Sequence, residues 1–350
     1  MGQDSKIEWC HHTFNPWIGC TKVSEGCQNC YAETLMDKRY HKTKWGPNGL
    51  RVVKADAGWR EPAKWNKAAA EAGEIHRVFC ASLADVGEGP ETMPDDAWQA
   101  VQAARQRLVE TFSPLSNLVL LMLTKRPENL PKLFPADFLA RCWVGTSVED
   151  QKRADERIPH MLRCPAAVRF LSVEPLLGQI GIFGPCKYHA PIEHDGIPPI
   201  DCCACDGFGR APLMELADRV HWVIVGGESG HGARMMHPDW ARAVRDQCQA
   251  AGVAFFFKQW GEYSYQPAKI EERDHVCTID RDGRDWALSM AGGKVCHLGP
   301  DANLWTLDQD SLPVDGLVEW RRVGKKAAGR LLDGVEWNQM PTPAGTAVGR

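Results

Sequence analysis

The chain has 350 residues, 44% of them apolar and 25% charged, with a formal net charge of −4. Those values fit one α/β barrel or two ordinary globular domains and exclude a disordered chain. The slightly negative balance gives no overall attraction for nucleic acid, so any such binding has to come from a local patch.

No apolar run is long enough to span a bilayer, and the opening MGQDSKIEW lacks the apolar centre of a signal peptide, so the expected location is the cytoplasm, away from membranes. Fourteen cysteines is a high count for a reducing compartment, where clustered thiols more often mean metal or catalysis than disulfides. Seven fall in two clusters, at 20, 27, 30 and at 186, 202, 203, 205. The other seven, Cys10, Cys80, Cys142, Cys164, Cys248, Cys277 and Cys296, are scattered and read as ordinary core or surface thiols.

The first unit is TFNPWIGCTKVSEGCQNCYAETL, residues 13–35. It places Cys20, Cys27 and Cys30 in one loop, followed directly by Tyr31. Structural zinc prefers four ligands in two pairs, and the spacing of His11 and His12 to Cys20 matches no familiar zinc pattern. A nucleophilic cysteine needs no two companions. Three thiolates suit a four-iron cluster that keeps one iron open for a small molecule. Gly19 and Gly26 allow a short loop to wrap such a group, and Tyr31 is placed to shield it or to stack on a ligand.

Six apolar runs follow: HRVFCASLAD, NLVLLMLTKR, RCWVGTSVED, AVRFLSVEPL, HWVIVGGESG and VAFFFKQWGE. Each lacks clean polar alternation, as expected of strands buried on both faces. Helical stretches lie between many of them, including DDAWQAVQAARQRLVETF, DQKRADERIPHML and HPDWARAVRDQCQAAG. With the cysteine unit they make roughly seven βα units, which predicts an α/β fold: a full or partial (β/α) barrel. In such a barrel the C-terminal strand ends carry function. Here they bear Ser82 and Asp85, then Thr124, Lys125 and Arg126, then Thr146, Ser147 and Glu149. Ser172 and Glu174, Gly226 to Glu228, and Lys258 with Gln259 complete the set.

Residues 184–211 interrupt the pattern with Gly, Pro, Cys and His. Cys186 and His189 form one chelating pair and Cys202 and Cys205 a second, a strong spacing for a structural zinc ion, with His194 and Cys203 as spare donors. This predicts an inserted zinc knob within a barrel domain of residues 1–260. Residues 261–350 read as a C-terminal extension of loops and hairpins with a basic tail. That tail carries Arg321, Arg322, Lys325, Lys326 and Arg330, able to neutralise phosphates. Trp17, Trp45, Trp59, Trp65, Trp260 and Trp337 offer stacking faces for bases, although tryptophans are often core.

The motif NPWIGC…GCQNCYAE resembles the cluster loop of radical S-adenosylmethionine (SAM) enzymes, and in its NPW-x-GC form the subgroup of spore photoproduct lyase. It departs from them by six residues in the first gap where three are usual. VFCASLAD, LMLTKRP, VGTSVEDQ, FLSVEPLLG, VIVGGESG, FFKQWGE and RRVGKKAAGRLLDG extend the likeness to a phage-type radical SAM family with a three-cysteine motif, over about residues 7 to 341. The resemblance implies a radical SAM barrel with Cys20, Cys27 and Cys30 on a [4Fe-4S] cluster and SAM on the open iron. It implies Asp85 at the methionyl amine, with Lys125, Ser147 and Glu149 near the nucleoside. Glu174, Glu228 and Lys258, from later strands, would face the substrate as catalytic groups. An electron donor for the cluster is implied as a partner. The expected substrate is a nucleic-acid base or nucleotide; one specific expectation is isomerisation of an amino-acid-decorated thymine in hypermodified phage DNA. The alternatives are a radical SAM enzyme acting on a peptide or metabolite, or a non-catalytic zinc-binding nucleic-acid module.

Overall fold

The computed structural model describes residues 5–182, 219–265 and 321–342, together with strands between 276 and 322. Residues 184–211, with the expected zinc ligands Cys186, His189, Cys202 and Cys205, lie outside the described residues.

Seven parallel strands form one sheet in chain order: β1 (His12–Thr13), β2 (His76–Cys80), β3 (Leu118–Thr124), β4 (Trp143–Ser147), β5 (Val168–Val173), β6 (Trp222–Gly226) and β7 (Ala254–Gln259). All six runs read as strands are strands. The helices α1 (Glu61–Ala72), α2 (Asp95–Phe112), α3 (Ala136–Arg141), α4 (Gln151–Arg163) and α5 (Pro238–Ala251) connect or follow them. The first and last strands do not pair with each other, so the barrel is partial.

Strand parity explains both cores. Successive side chains alternate between the two faces of a strand. Val78 and Cys80, Leu120 and Met122, Leu171 and Val173, and Val223 and Val225 point to the helices and join the larger core. Phe79, Leu121, Phe170, Trp222, Ile224 and Phe256 point the other way and form a second, inner cluster. Trp9, just before β1, touches Phe79 of β2 at 4.6 Å and Trp222 of β6 at 6.1 Å between ring centroids. A side chain at one edge therefore reaches the sixth strand, which requires a strongly curled sheet. Gly145 permits this packing, because a Cβ there would stand 2.4 Å from the Phe170 ring.

Beyond β7, the strands β8 (Tyr263–Tyr265), β9 (Val276–Ile279), β10 (Asp285–Ala291), β11 (Lys294–Leu298), β12 (Leu304–Leu307) and β13 (Val318–Arg322) make an antiparallel sheet ordered β8-β13-β9-β10-β11-β12. The chain then returns to the barrel. Phe257 N–H donates to Trp337 O at 2.9 Å and Gln339 N–H to Phe255 O at 3.1 Å. Residues 329–340 thus strap the outer edge of β7, covering backbone groups that would otherwise be unpaired.

The tryptophans correct one expectation. Trp17, Trp59, Trp65 and Trp260 are buried core residues, with no face free for a base. No described helix is long and apolar enough to cross a membrane.

Candidate functional site

The inner-face parity continues past the strand ends. Phe170, Ser172 and Glu174 lie on one face of β5 and its extension; Phe256 and Lys258 share the inner face of β7; Leu121 leads by twos to Lys125. The groups expected to carry chemistry are therefore aimed at the C-terminal mouth of the barrel.

The cysteine loop closes that mouth. A short antiparallel pair, Trp17–Ile18 with Val52–Val53, brackets it, and Gly19 turns the chain at φ +116°, a conformation that favours glycine. A side chain at Gly19 would also meet Leu50 O at 2.9 Å. Asn15 fixes the facing loop: its Oδ1 accepts from Leu83 N–H at 2.7 Å and its Nδ2 donates to Ser82 Oγ at 3.1 Å.

Three ionic anchors hold the loop. The first follows Cys20. Glu88 receives a bidentate pair from Arg51 at 2.8 and 2.9 Å, with both side chains fully buried, and Glu88 also accepts from Thr21 N–H at 2.8 Å. Arg126 donates to Thr21 O at 2.6 Å and pairs with Asp85 at 2.8 Å. The second anchor lies before Cys27. Glu149 has a fully buried side chain; it accepts from Ser24 Oγ at 2.9 Å and pairs with Arg157 at 2.8 Å and Lys125 at 3.3 Å. Its carboxyl rests on Gly26, where a Cβ would stand 2.4 Å from Oε1. The third lies between Cys27 and Cys30. Asn29 donates to Glu228 at 3.1 Å and to Gly232 O at 2.6 Å. Arg234 pairs with Glu228 at 2.7 Å and reaches Glu25 O at 3.0 Å and Gln28 Oε1 at 3.3 Å.

Several expected site residues meet here, in particular surroundings. Asp85 accepts from Thr124 Oγ1, from Gly87 N–H at 2.9 Å, from Lys125 N–H at 3.1 Å and from Arg126. Burial pushes its carboxyl up, but Arg126 and Thr124 outweigh that, so it titrates below the usual carboxylate range. With both oxygens engaged, Asp85 braces Arg126. Ser147 is buried, and its carbonyl accepts from Arg157 at 2.9 Å. Burial alone would favour neutral Lys125; Glu149 and Cys27 reverse that and hold the ammonium charged. Glu174 and Lys258 pair with each other at 2.7 Å, away from the Glu149 anchor. Tyr31 presents a half-exposed ring while its hydroxyl donates to Ser82 O at 2.5 Å.

The donor set suits an iron–sulfur cluster. Cys20, Cys27 and Cys30 are partly buried, free thiols on one loop. Among the described residues, the only three ligand atoms all within 4.8 Å of one another belong to His11, Glu74 and His76. The three sulfurs therefore stand wider than a single tetrahedral ion would draw them. Burial raises the thiol pKa of Cys20 and of Cys30, with Glu88 and Asp85 adding to the rise at Cys20. Arg126 beside Cys20 and Lys125 beside Cys30 act in the opposite sense and favour thiolates, the form that binds metal. Among the described residues no fourth thiol joins them: Cys80, Cys142, Cys164 and Cys248 lie in the helix-side core and Cys10 in the inner cluster.

His11 and His12 sit at the opposite end of the barrel. His12 Nε2 and His76 Nδ1 are 3.0 Å apart, and His76 Nε2 is 3.2 Å from Glu74. His11 Nδ1 accepts from Arg77 N–H at 2.9 Å, which commits its lone pair. Two surface grooves, one lined by Gln249, Gln339 and Met340 and one by Gln102, Gln106 and Val109, also lie away from the cysteines. Of the basic tail, Arg322 pairs with Glu262 at 3.8 Å and Arg330 bonds Asn338, whereas Lys325 and Lys326 are exposed.

The anchoring residues Arg51, Glu88, Arg157 and Arg234 escaped the sequence reading, since each pairs with a partner far from any motif. Recurrent single arginines after strands or inside amphipathic helices were the available signal.

A family model described as a protein of unknown function, DUF5131, matches residues 4–341. No curated protein matches. Three solved structures of spore photoproduct lyase are similar. A cysteine-to-alanine mutant shares 16% identity at TM-score 0.36, covering 50% of this chain and 48% of its own. A tyrosine-to-phenylalanine mutant shares 14% at 0.39, covering 77% and 69%. The cysteine-to-alanine mutant with dinucleoside spore photoproduct shares 13% at 0.39, with the same coverage. The chain thus spans about half the length of the first of these. At such values the fold rests on the strand order described above.

Proposed function

We propose that this chain, which belongs to that family, is a radical SAM enzyme with Cys20, Cys27 and Cys30 as the ligands of a [4Fe-4S] cluster. The observation that carries the reading is a three-thiol loop, with no fourth thiol among the described residues, clamped over the C-terminal mouth of a partial barrel by three buried or half-buried ion pairs. When bound, the cluster and SAM supply a 5′-deoxyadenosyl radical able to take hydrogen from an unactivated carbon.

The chain's own residues do the positioning. Glu149 and Glu228 fix the loop on either side of Cys27. Arg126, set by Asp85, and Lys125 supply positive charge to the thiolates and to a carboxylate or ribose bound beside them. Tyr31 screens the loop from the lumen. Glu174 and Lys258 face the lumen as a paired acid and base for the substrate. The curled sheet and inner cluster close the far end to water.

We assign the substrate as a nucleic-acid base or nucleotide, and more specifically an amino-acid-modified thymine that is isomerised. The support is the motif resemblance and the exposed Lys325 and Lys326. In this reading residues 1–260 are the catalytic barrel, residues 184–211 a zinc-bearing insert, and residues 261–350 a substrate-side extension.

The test is anaerobic purification with iron and sulfide analysis, then dithionite reduction with SAM and detection of 5′-deoxyadenosine. A brown protein with about four irons that forms 5′-deoxyadenosine, and a Cys27→Ala variant that does not, are expected. A colourless, zinc-only protein would sink the reading.

A further inference from the structure

The segment that follows the cysteine helix has an unusual charge pattern. From residue 38 to residue 55 there is no Asp or Glu, in a chain whose net charge is −4. Lys38, Arg39, Lys42 and Lys44 are all exposed, and none forms an ion pair with a described residue. Tyr40 and Leu50, 50% and 58% exposed, lie among them. The segment is not a loose arm. Trp45 N–H donates to Asp37 at 2.7 Å, Lys42 N–H to Met36 O at 2.7 Å, and Gly46 N–H to the carbonyl of Cys20 at 2.9 Å. Val53, at its end, packs into the helix-side core. Trp45 packs beside Cys30 and Leu83, so the cationic face is fixed against the cysteine loop, whereas Glu174 and Lys258 extend β5 and β7.

We infer that this face docks an acidic redox protein that delivers the electron. The inference rests on the radical SAM reading above. Three features favour such a partner over a nucleic-acid backbone. Leu50, an aliphatic side chain 58% exposed among the cations, suits a protein contact and offers nothing to a phosphate backbone. The face is built on the cysteine loop itself and not on the later strands that carry Glu174 and Lys258. Through Gly46 it is one hydrogen bond from a cysteine that holds the cluster. The balance is simple. The donor, a low-potential one-electron carrier, would be oxidised by one electron, and SAM, accepting it through the cluster, would break at S–C5′ into methionine and a 5′-deoxyadenosyl radical.

The experiment compares the reconstituted protein with Lys38→Glu/Lys42→Glu/Lys44→Glu, using a flavodoxin as the donor. Flavodoxin affinity is measured by calorimetry at two salt concentrations, and SAM cleavage is run with reduced flavodoxin and, separately, with dithionite. The expected result is a loss of affinity on the order of tenfold or more at low salt. Flavodoxin-driven cleavage should fall in step while dithionite-driven cleavage is unchanged. Unchanged flavodoxin affinity overturns the proposal, as does a loss of duplex-DNA binding with flavodoxin affinity intact. If the parent protein makes no 5′-deoxyadenosine with dithionite, the enzyme reading fails, and the proposal fails with it whatever the binding shows.

Discussion

Glu149→Gln is the most direct probe of the loop's support. Glu149 lies 2.8 Å from Arg157 and 3.3 Å from Lys125, with a fully buried side chain. At an effective dielectric of about 20, each contact carries roughly 5–6 kcal/mol of gross attraction. Dehydration of the ions offsets much of it, and removing one partner of a buried pair typically costs about 3–5 kcal/mol, because the other charge is stranded. Glutamine keeps the shape and strands Arg157, whose side chain is only 6% exposed. A loss of about 3–5 kcal/mol is therefore expected, read from urea titrations followed by tryptophan fluorescence. The control is Glu156→Gln, a 47%-exposed partner of Arg153, where the change should stay within about 0.5 kcal/mol. A Glu149→Gln loss no larger than the control's would refute the reasoning, since the pair would then contribute nothing in the native chain.

Further outcomes follow from the same geometry. Gly26→Ala drives a Cβ to 2.4 Å from the Glu149 carboxyl and should cost about 1–3 kcal/mol, with a matching fall in bound iron per chain. Arg234→Ala frees the span between Cys27 and Cys30, so amide exchange over residues 24–31 should speed up while the barrel strands stay protected. Asp333 is held below the usual carboxylate range by hydrogen bonds from Arg242 and Arg245. Its grip is thus fully present above the usual range and lost as pH falls through the lowered pKa. Proteolysis within residues 329–340 should accelerate in acid, and Asp333→Asn should produce the same sensitivity at pH 7.

The cysteine loop, the seven-strand order and the helices at 95–112, 151–163 and 238–251 were legible because each is a local pattern. Buried strands declare themselves by apolar runs, and parity then carries Lys125, Glu174 and Lys258 to the inner face. The anchors were not legible. Glu149 meets Ser24 across 125 positions and Arg234 meets Gln28 across 206, and no periodicity records which distant charges pair. Trp17 and Trp65 were open to two readings for a related reason: an aromatic ring suits a core as well as a base, and only packing decides. The strap over β7 was missed because single backbone bonds to residues 337 and 339 need no particular side-chain pattern.

The separation of those contacts along the chain also has a temporal side. Cys20, Cys27 and Cys30 are synthesised among the first thirty residues, whereas Glu228 and Arg234, which lock the loop, follow about 200 residues later. At ordinary ribosomal speeds that interval is on the order of 10–40 s. Throughout it the span from Cys27 to Cys30 lacks the third of its anchors, although the first two can already form. If the loop holds the cluster proposed above, iron can be delivered to it during translation, before β6 and the segment after it add the last anchor.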